Sequence, residues 1–250
     1  MEVHHHPQTE TTHGGKRFKH YLFEFFMLFL AVFCGFLAEN FREHQLEKEK
    51  EHQYIKSLIS DLKDDVVTID QEVQEDQTTV ALCDSFSIFL DSPDMARKNG
   101  DGIYYAARVG NRRSPLVNNT RTFDQLTNSG GFRLIRKSET SNRIMDYYSQ
   151  FPLLRMMENI FNDENSAYKN AESQVIDPAI LRRQQNTDNS INRSSDNPPL
   201  LTYDRTLLKQ LEFKVVQMNG SRRAMIPIME KIKQSAIDLL NYLEQTYQLK

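Results

Sequence analysis

The stretch KHYLFEFFMLFLAVFCGFLAENFREH, residues 19–44, decides how the rest of the chain is read. From Tyr21 to Ala38 every residue is apolar or glycine except Glu24. A helix of that length rises about 27 Å, close to the roughly 30 Å hydrocarbon core of a bilayer. A soluble core helix keeps a polar face at each turn, and this segment has none after Glu24. It is therefore expected to be a transmembrane helix. A cleaved export signal needs small residues at −3 and −1, and a cut after Ala38 would put Phe36 at −3. A lipoprotein signal needs a small residue before its cysteine, and Phe33 precedes Cys34. The segment reads as a retained anchor.

Flanking charge sets the expected orientation. Lys16, Arg17 and Lys19 precede the span, whereas Arg42 follows it among Glu39, Glu43, Glu47 and Glu49. The positive-inside rule keeps residues 1–20 in the cytoplasm as a short tail and sends residues 39–250 across the inner membrane, into the periplasm of a bacterium with an outer membrane.

The exported part is water-soluble in composition: the 250-residue chain has 26% charged residues and a mean hydropathy of −0.61. With Gly 9 and Pro 8, few breakers interrupt it, which favours long helices over a sheet with many turns. Ile55, Ile59, Leu62, Val66, Ile69, Val73 and Val80 follow spacings of four and three, with Asp76 in one seam position. This heptad seam predicts an acidic, coiled-coil-like stalk helix over 39–92, ended by Asp91-Ser92-Pro93. Its stripe needs a partner, either another subunit or later helices of the same chain.

Residues 93–185 read as a basic connector and a second helical segment. Thr122 and Gln125 have capping-box spacing, Gly130 stands where a helix end needs a left-handed residue, and Ser138 can cap the next helix. Pro152 should kink or split that helix. Within the connector, GIYYAARVG (residues 102–110) suits a helix or a strand equally. Residues 186–204 read as a mobile polar loop. Residues 205–250 carry an apolar face through Leu207, Leu208, Leu211, Val215 and Met218, resuming after Asn219-Gly220 as Met225, Met229, Ile232, Ala236, Leu239 and Leu243. The expected fold is all-α: one N-terminal transmembrane helix continuing into a long stalk helix, with an antiparallel helical bundle in the exported part.

Charge is partitioned. Residues 39–96 hold 5 basic and 15 acidic side chains, net −10, and residues 97–155 hold 11 and 4, net +7. The basic segment either packs over the acidic helix, each moderating the other's self-repulsion, or uses Arg112, Arg113, Arg121, Arg133 and Arg136 to receive a small anion. Glu24 is the other candidate, since an ionisable residue inside a span costs at least ~2.5 kcal/mol on insertion scales and marks a functional contact by default. It either meets a polar group on another membrane helix or pairs with His20 one turn back. His4, His5 and His6, with His13 and His20, suggest a metal-binding tail, but adjacent histidines in an unstructured tail rarely close a site, and no metal is expected. No phosphate loop, G-x-S-x-G elbow, H-E-x-x-H or CxxC occurs, so neither catalysis nor a cofactor is expected. Cys83, the one cysteine of the exported part, reads as a buried thiol or as half of an intermolecular bridge, burial being the expectation.

Three stretches carry a family likeness: MEVHHH at residues 1–6, FLAVFCGFLAENFREH at 29–44 and TFDQLTNSGGFRLIRK at 122–137, supported by YIKSLISDLKDD at 54–65. They resemble an uncharacterised single-pass membrane protein family of Bacteroidota, classed as a domain of unknown function. The likeness implies native histidines and an envelope location, and lends no activity, ligand or site residue. The expected function is that of an envelope scaffold or accessory subunit. It would bind another inner-membrane or envelope protein, or a second copy of itself, through Glu24 and the seam residues Ile55, Ile59, Leu62, Val66 and Ile69. Nucleic acid is not an expected partner. The alternative is a periplasmic sensor of a small anion that signals through a partner membrane protein.

Overall fold

A computed structural model describes residues 14–249, with side chains from Phe18 onward. The histidines at 4, 5, 6 and 13 fall outside the described residues. The fold is all-helical: α1 (Gly14–Leu90), α2 (Pro93–Lys98), α3 (Gly100–Val109), α4 (Arg121–Asn128), a 3-10 turn (Gly131–Leu134), α5 (Ser138–Tyr148), α6 (Phe151–Val175), α7 (Pro178–Gln184) and α8 (Arg205–Tyr247). Among the described residues the only β feature is an isolated bridge between Gln185 and Ile191. The chain divides into two compact units, Met1–Gln53 and Tyr54–Lys250, and α1 contributes to both.

In the first unit α1 includes a stretch long and apolar enough to cross a membrane. Its mean hydropathy reaches 2.2, and none of that window is buried by the chain. Phe25, Phe29 and Phe33 stack at i, i+4 spacing, with ring centroids 6.5 and 6.0 Å apart. After the apolar stretch, Arg42 pairs with Glu39 at 2.6 Å on the exposed surface.

The second unit is a three-helix core. Lys63 meets Glu244 at 2.9 Å, Lys233 meets Asp70 at 2.7 Å and Arg223 meets Asp84 at 2.8 Å. Numbers on α8 fall as those on α1 rise, so the two run antiparallel. Tyr147 donates to Asp65 at 2.7 Å, and Phe86 lies edge-on to Tyr168 at 6.5 Å. Here both numbers rise together, so the α5–α6 segment runs parallel to α1. Parallel neighbours need a long crossover, and residues 91–137 supply it.

The stripes expected from the sequence line this core. Ile55, Ile59, Leu62, Ile69 and Val73 of α1 are buried while Val66 and Val80 are half-buried, and Leu58 of α1 joins them with Leu154, Phe161, Tyr168 and Val175 of α6. From α8 come Leu208, Leu211, Val215, Met225, Met229, Ile232, Ala236, Leu239 and Leu243. Burying a Leu or Ile side chain is worth about 1.5–3 kcal/mol, so these facing stripes dominate the stability of the unit.

Local expectations are met unevenly, for physical reasons. Pro152 does split its helix: α5 ends at Tyr148 and α6 begins at Phe151, with the proline in the first turn, where its missing N–H costs nothing. Gly130 follows α4 with φ +65°, the left-handed residue the sequence calls for. GIYYAARV belongs to α3 and is helical, and Gly110 follows as its C-cap. The start of α4 is displaced: Arg121 is its first residue, and Thr120 stands at the cap position without a side-chain cap bond. Ser138 does not cap α5 but is its first residue. Asn219-Gly220 does not interrupt α8. Asn219 is buried and donates to the Val80 carbonyl at 3.2 Å and to Asp84 at 2.9 Å, so it ties α8 to α1.

Candidate functional site

The densest chemistry in the molecule is a set of buried charges where the connector returns along α1. Four carboxylates face inward: Asp61, Asp65 and Asp76 of α1 and Glu158 of α6. Between α3 and α4, residues 111–120 run without helix, so their backbone groups need partners from elsewhere. The carboxylates supply many of them. Asp61 accepts from the Thr122 N–H at 3.1 Å, from the Thr122 hydroxyl and from Arg121 at 2.6 Å. It therefore caps the N-terminus of α4, the role Thr120 leaves unfilled. Asp65 accepts from the Asn119 N–H at 2.6 Å and from the Tyr147 hydroxyl at 2.7 Å. Glu158 accepts from the Leu116 N–H at 2.9 Å.

Two arginines complete the centre. Arg113 places Nε 3.1 Å from Asp76 and Nη1 3.0 Å from Glu158, with its side chain 3% exposed. Arg222, 1% exposed, sets Nε 3.3 Å from Asp76. Its two Nη groups donate to the Gly110 and Arg112 carbonyls at 3.0 and 2.9 Å, and its guanidinium lies 5.1 Å from the centre of the Phe161 ring. Arg113 and Arg222 balance Asp76 and Glu158, and half-exposed Arg155 reaches Glu158 from outside at 3.0 Å.

Burial pushes the Asp76 carboxyl up, and Arg113 and Arg222 pull it back. Burial likewise raises Asp65 against the opposing bond from Tyr147. The Tyr147 hydroxyl is raised by its own burial and by Asp65, so it stays protonated as a donor. The arrangement joins α1, α4, α5, α6 and α8 to the connector through charge-assisted hydrogen bonds.

The sequence-predicted residues go to different places. Arg113 and Arg121 serve internal carboxylates, as the packing reading of the charge partition expects. Arg112 offers its backbone carbonyl to Arg222 while its side chain is exposed. Arg133 lies exposed on the 3-10 turn, and Arg136 lies exposed just beyond it. In the stalk, Ile55, Ile59, Leu62 and Ile69 are buried in the chain's own core, and Val66 packs half-buried against it. The seam is thus covered by the chain's own helices, the second of the two fillers its spacing left open. Glu24 keeps 60% of its side chain exposed and lies 3.2 Å from His20 Nε2. Cys83 is buried, its Sγ 3.6 Å from the Gly110 carbonyl.

Asp61, Asp65, Glu158 and Arg222 escape sequence reasoning. The Asp61–Asp65 spacing puts both carboxylates on one helix face beside Leu62, a signal that is visible but reads equally as a solvated flank. No protein-family model, curated protein or solved structure matches the chain.

Proposed function

We propose that the protein is a single-pass scaffold or accessory subunit of a bacterial inner membrane, acting through helix–helix contacts rather than catalysis. Residues 21–38 anchor it, the N-terminus lies in the cytoplasm and the helical bundle stands in the periplasm. The observation that carries this reading is the apolar stretch of α1, none of which the chain itself buries. Glu24 shares one face of that stretch with Ala31, Gly35 and Ala38, spaced by seven, four and three residues. Small residues let membrane helices approach closely, and an ionisable side chain on the same face supplies a polar contact. The stalk seam is used inside the bundle, so the partner, another envelope membrane protein, meets the span.

The anion-sensor alternative loses support at its named site, because Arg113 and Arg121 are engaged by Asp76, Glu158 and Asp61. Cross-linking in living cells, followed by purification in mild detergent, tests the proposal. A stoichiometric membrane partner should accompany the wild type and be lost from Glu24→Gln. Recovery of the protein alone would overturn the reading.

A further inference from the structure

α6 carries a second apolar stripe beside the one it buries. Leu153, Met156 and Ile160 follow spacings of three and four and are 51%, 52% and 39% exposed. On α8, Phe213 and Val216 are 56% and 52% exposed, and Gly220, Ala224 and Pro227 continue the exposed side at helical spacing. A methyl group added at Gly220 would meet nothing within 4 Å, so this part of α8 is open. Single exposed apolar residues need no explanation, but runs of them on two neighbouring helices do. Charge is scarce on the same surface. Of the exposed residues from Pro152 to Ser166 only Asp163 is charged, and of those from Phe213 to Pro227 only Arg223, in a chain with 26% charged residues. Depletion of charge marks the centre of a protein–protein interface better than bulk hydrophobicity does.

The register of the two antiparallel helices makes this surface self-complementary. Gln150 donates to the Ser235 hydroxyl at 2.9 Å, and the Arg222 guanidinium lies 5.1 Å from the centre of the Phe161 ring. Further along, Ala171 and Phe213 line one groove of about 640 Å³. Between these points Ile160 falls level with Ala224, Met156 with Pro227 and Asp163 with Arg223. Large side chains of α6 thus stand level with small ones of α8, and the reverse holds at Ala171 and Phe213. A two-fold axis parallel to the helices keeps every residue at its level and sets α6 of one copy against α8 of the other. Ile160 and Met156 then enter the stretch from Ala224 to Pro227 of the second copy, and Phe213 enters beside its Ala171. The two remaining charges meet with opposite signs. Asp163 has no ion-pair partner among the described residues, and Arg223, which holds Asp84, keeps 58% of its side chain exposed. From Leu153 to Gln174 the face is about 32 Å long, and two helices are about 20 Å wide. Two such faces bury about 1,300 Å² together, within the roughly 1,200–2,000 Å² of a specific interface.

We propose that the bundle pairs with a second copy of this chain through the outer face of α6 and α8, as a two-fold dimer. The contact belongs to the bundle alone and leaves the span free for its own partner.

Sedimentation equilibrium of the full-length protein in density-matched detergent tests it. A dimer with a Kd of about 10 μM or tighter is expected. Met156→Glu and Ala224→Arg should each weaken it by about tenfold or more at an unchanged melting temperature, and Asp163→Lys, which sets two cations against each other, by about tenfold. Glu24→Gln should leave the dimer intact. A wild-type monomer at about 100 μM, a dimer indifferent to Met156→Glu and Ala224→Arg, or a dimer lost on Glu24→Gln would each overturn the proposal.

Discussion

Replacing Arg113 by methionine removes the cation that Asp76 and Glu158 share. Both carboxylates stay inside, 5% and 7% exposed. Arg222 remains beside Asp76, and Arg155 and the Leu116 N–H remain on Glu158. The four-charge centre is then one positive charge short. Breaking a buried ion pair by deleting one partner costs about 3–5 kcal/mol, a large share of the 5–15 kcal/mol or so that holds a domain together. For a unit of this size each kcal/mol moves the melting temperature by about 2–4 °C, so a fall of about 6–20 °C is expected. Thermal melts of the full-length protein in detergent, followed by far-ultraviolet circular dichroism, read it directly. The deficit should shrink as pH falls. Burial already raises the Asp76 carboxyl, and a carboxyl raised in the folded state favours that state as it takes up its proton. The double variant Arg113→Met with Asp76→Leu restores neutrality between Arg222 and Glu158. Its loss should fall short of the summed single losses by about 0.5–3 kcal/mol. A single variant melting within about 2 °C of wild type would refute the claim that this centre holds the connector to the helices.

Burial pushes the Glu172 carboxyl from about 4.5 up to about 7, against the pull of Tyr168, Lys169 and Arg108. The folded state thus binds this proton more tightly than the unfolded one, and its stabilising effect is complete below about pH 4.5 and lost as pH rises through about 7. At 1.36 kcal/mol per unit the swing is about 3 kcal/mol, so Glu172→Gln should be the more stable protein at alkaline pH and match wild type near pH 5; parallel melting curves across pH would contradict this. A methyl group at Gly100 would collide with the backbone carbonyl of Pro198 and sit 3.0 Å from the Asn197 side-chain oxygen. Gly100→Ala should therefore cost about 1–3 kcal/mol and speed proteolysis within residues 186–199, and unchanged cleavage would count against that anchoring. Burial raises the Cys83 thiol to about 11, so a membrane-impermeant maleimide should label it in spheroplasts only after unfolding on the membrane. Protection that persists after unfolding would place the bundle in the cytoplasm.

The helical stripes were legible because they are local. Spacings of four and three from Ile55 to Val73, and from Met225 to Leu243, state which side of each helix is buried. What fills the seam of α1 was not legible, since Leu62 would look the same facing another subunit as facing α8. The charge partition was informative in aggregate: a net −10 helix followed by a net +7 segment foreshadows Arg113 on Asp76 and Arg121 on Asp61. The pairings themselves depend on the path of residues 111–120, which has no periodicity to read. The parallel course of α6 has the same origin, because direction is set by long-range contacts such as Tyr147 on Asp65. Asn219-Gly220 looks like a turn in isolation, and only the Val80 carbonyl and Asp84 on α1 explain why the helix continues.

The central claim is that the bundle consumes its own seam, so that the partner must meet the span on the face shared by Glu24, Ala31, Gly35 and Ala38. A photo-cross-linking amino acid placed at Ala31 or Gly35, compared with one at Phe33, about 200° round the helix from Ala31, tests this in living cells. The account predicts a discrete adduct with another membrane protein from Ala31 and Gly35, abolished by Glu24→Gln, and lipid adducts alone from Phe33. Lipid adducts alone from all three positions, or adducts only with a second copy of the chain, would contradict it.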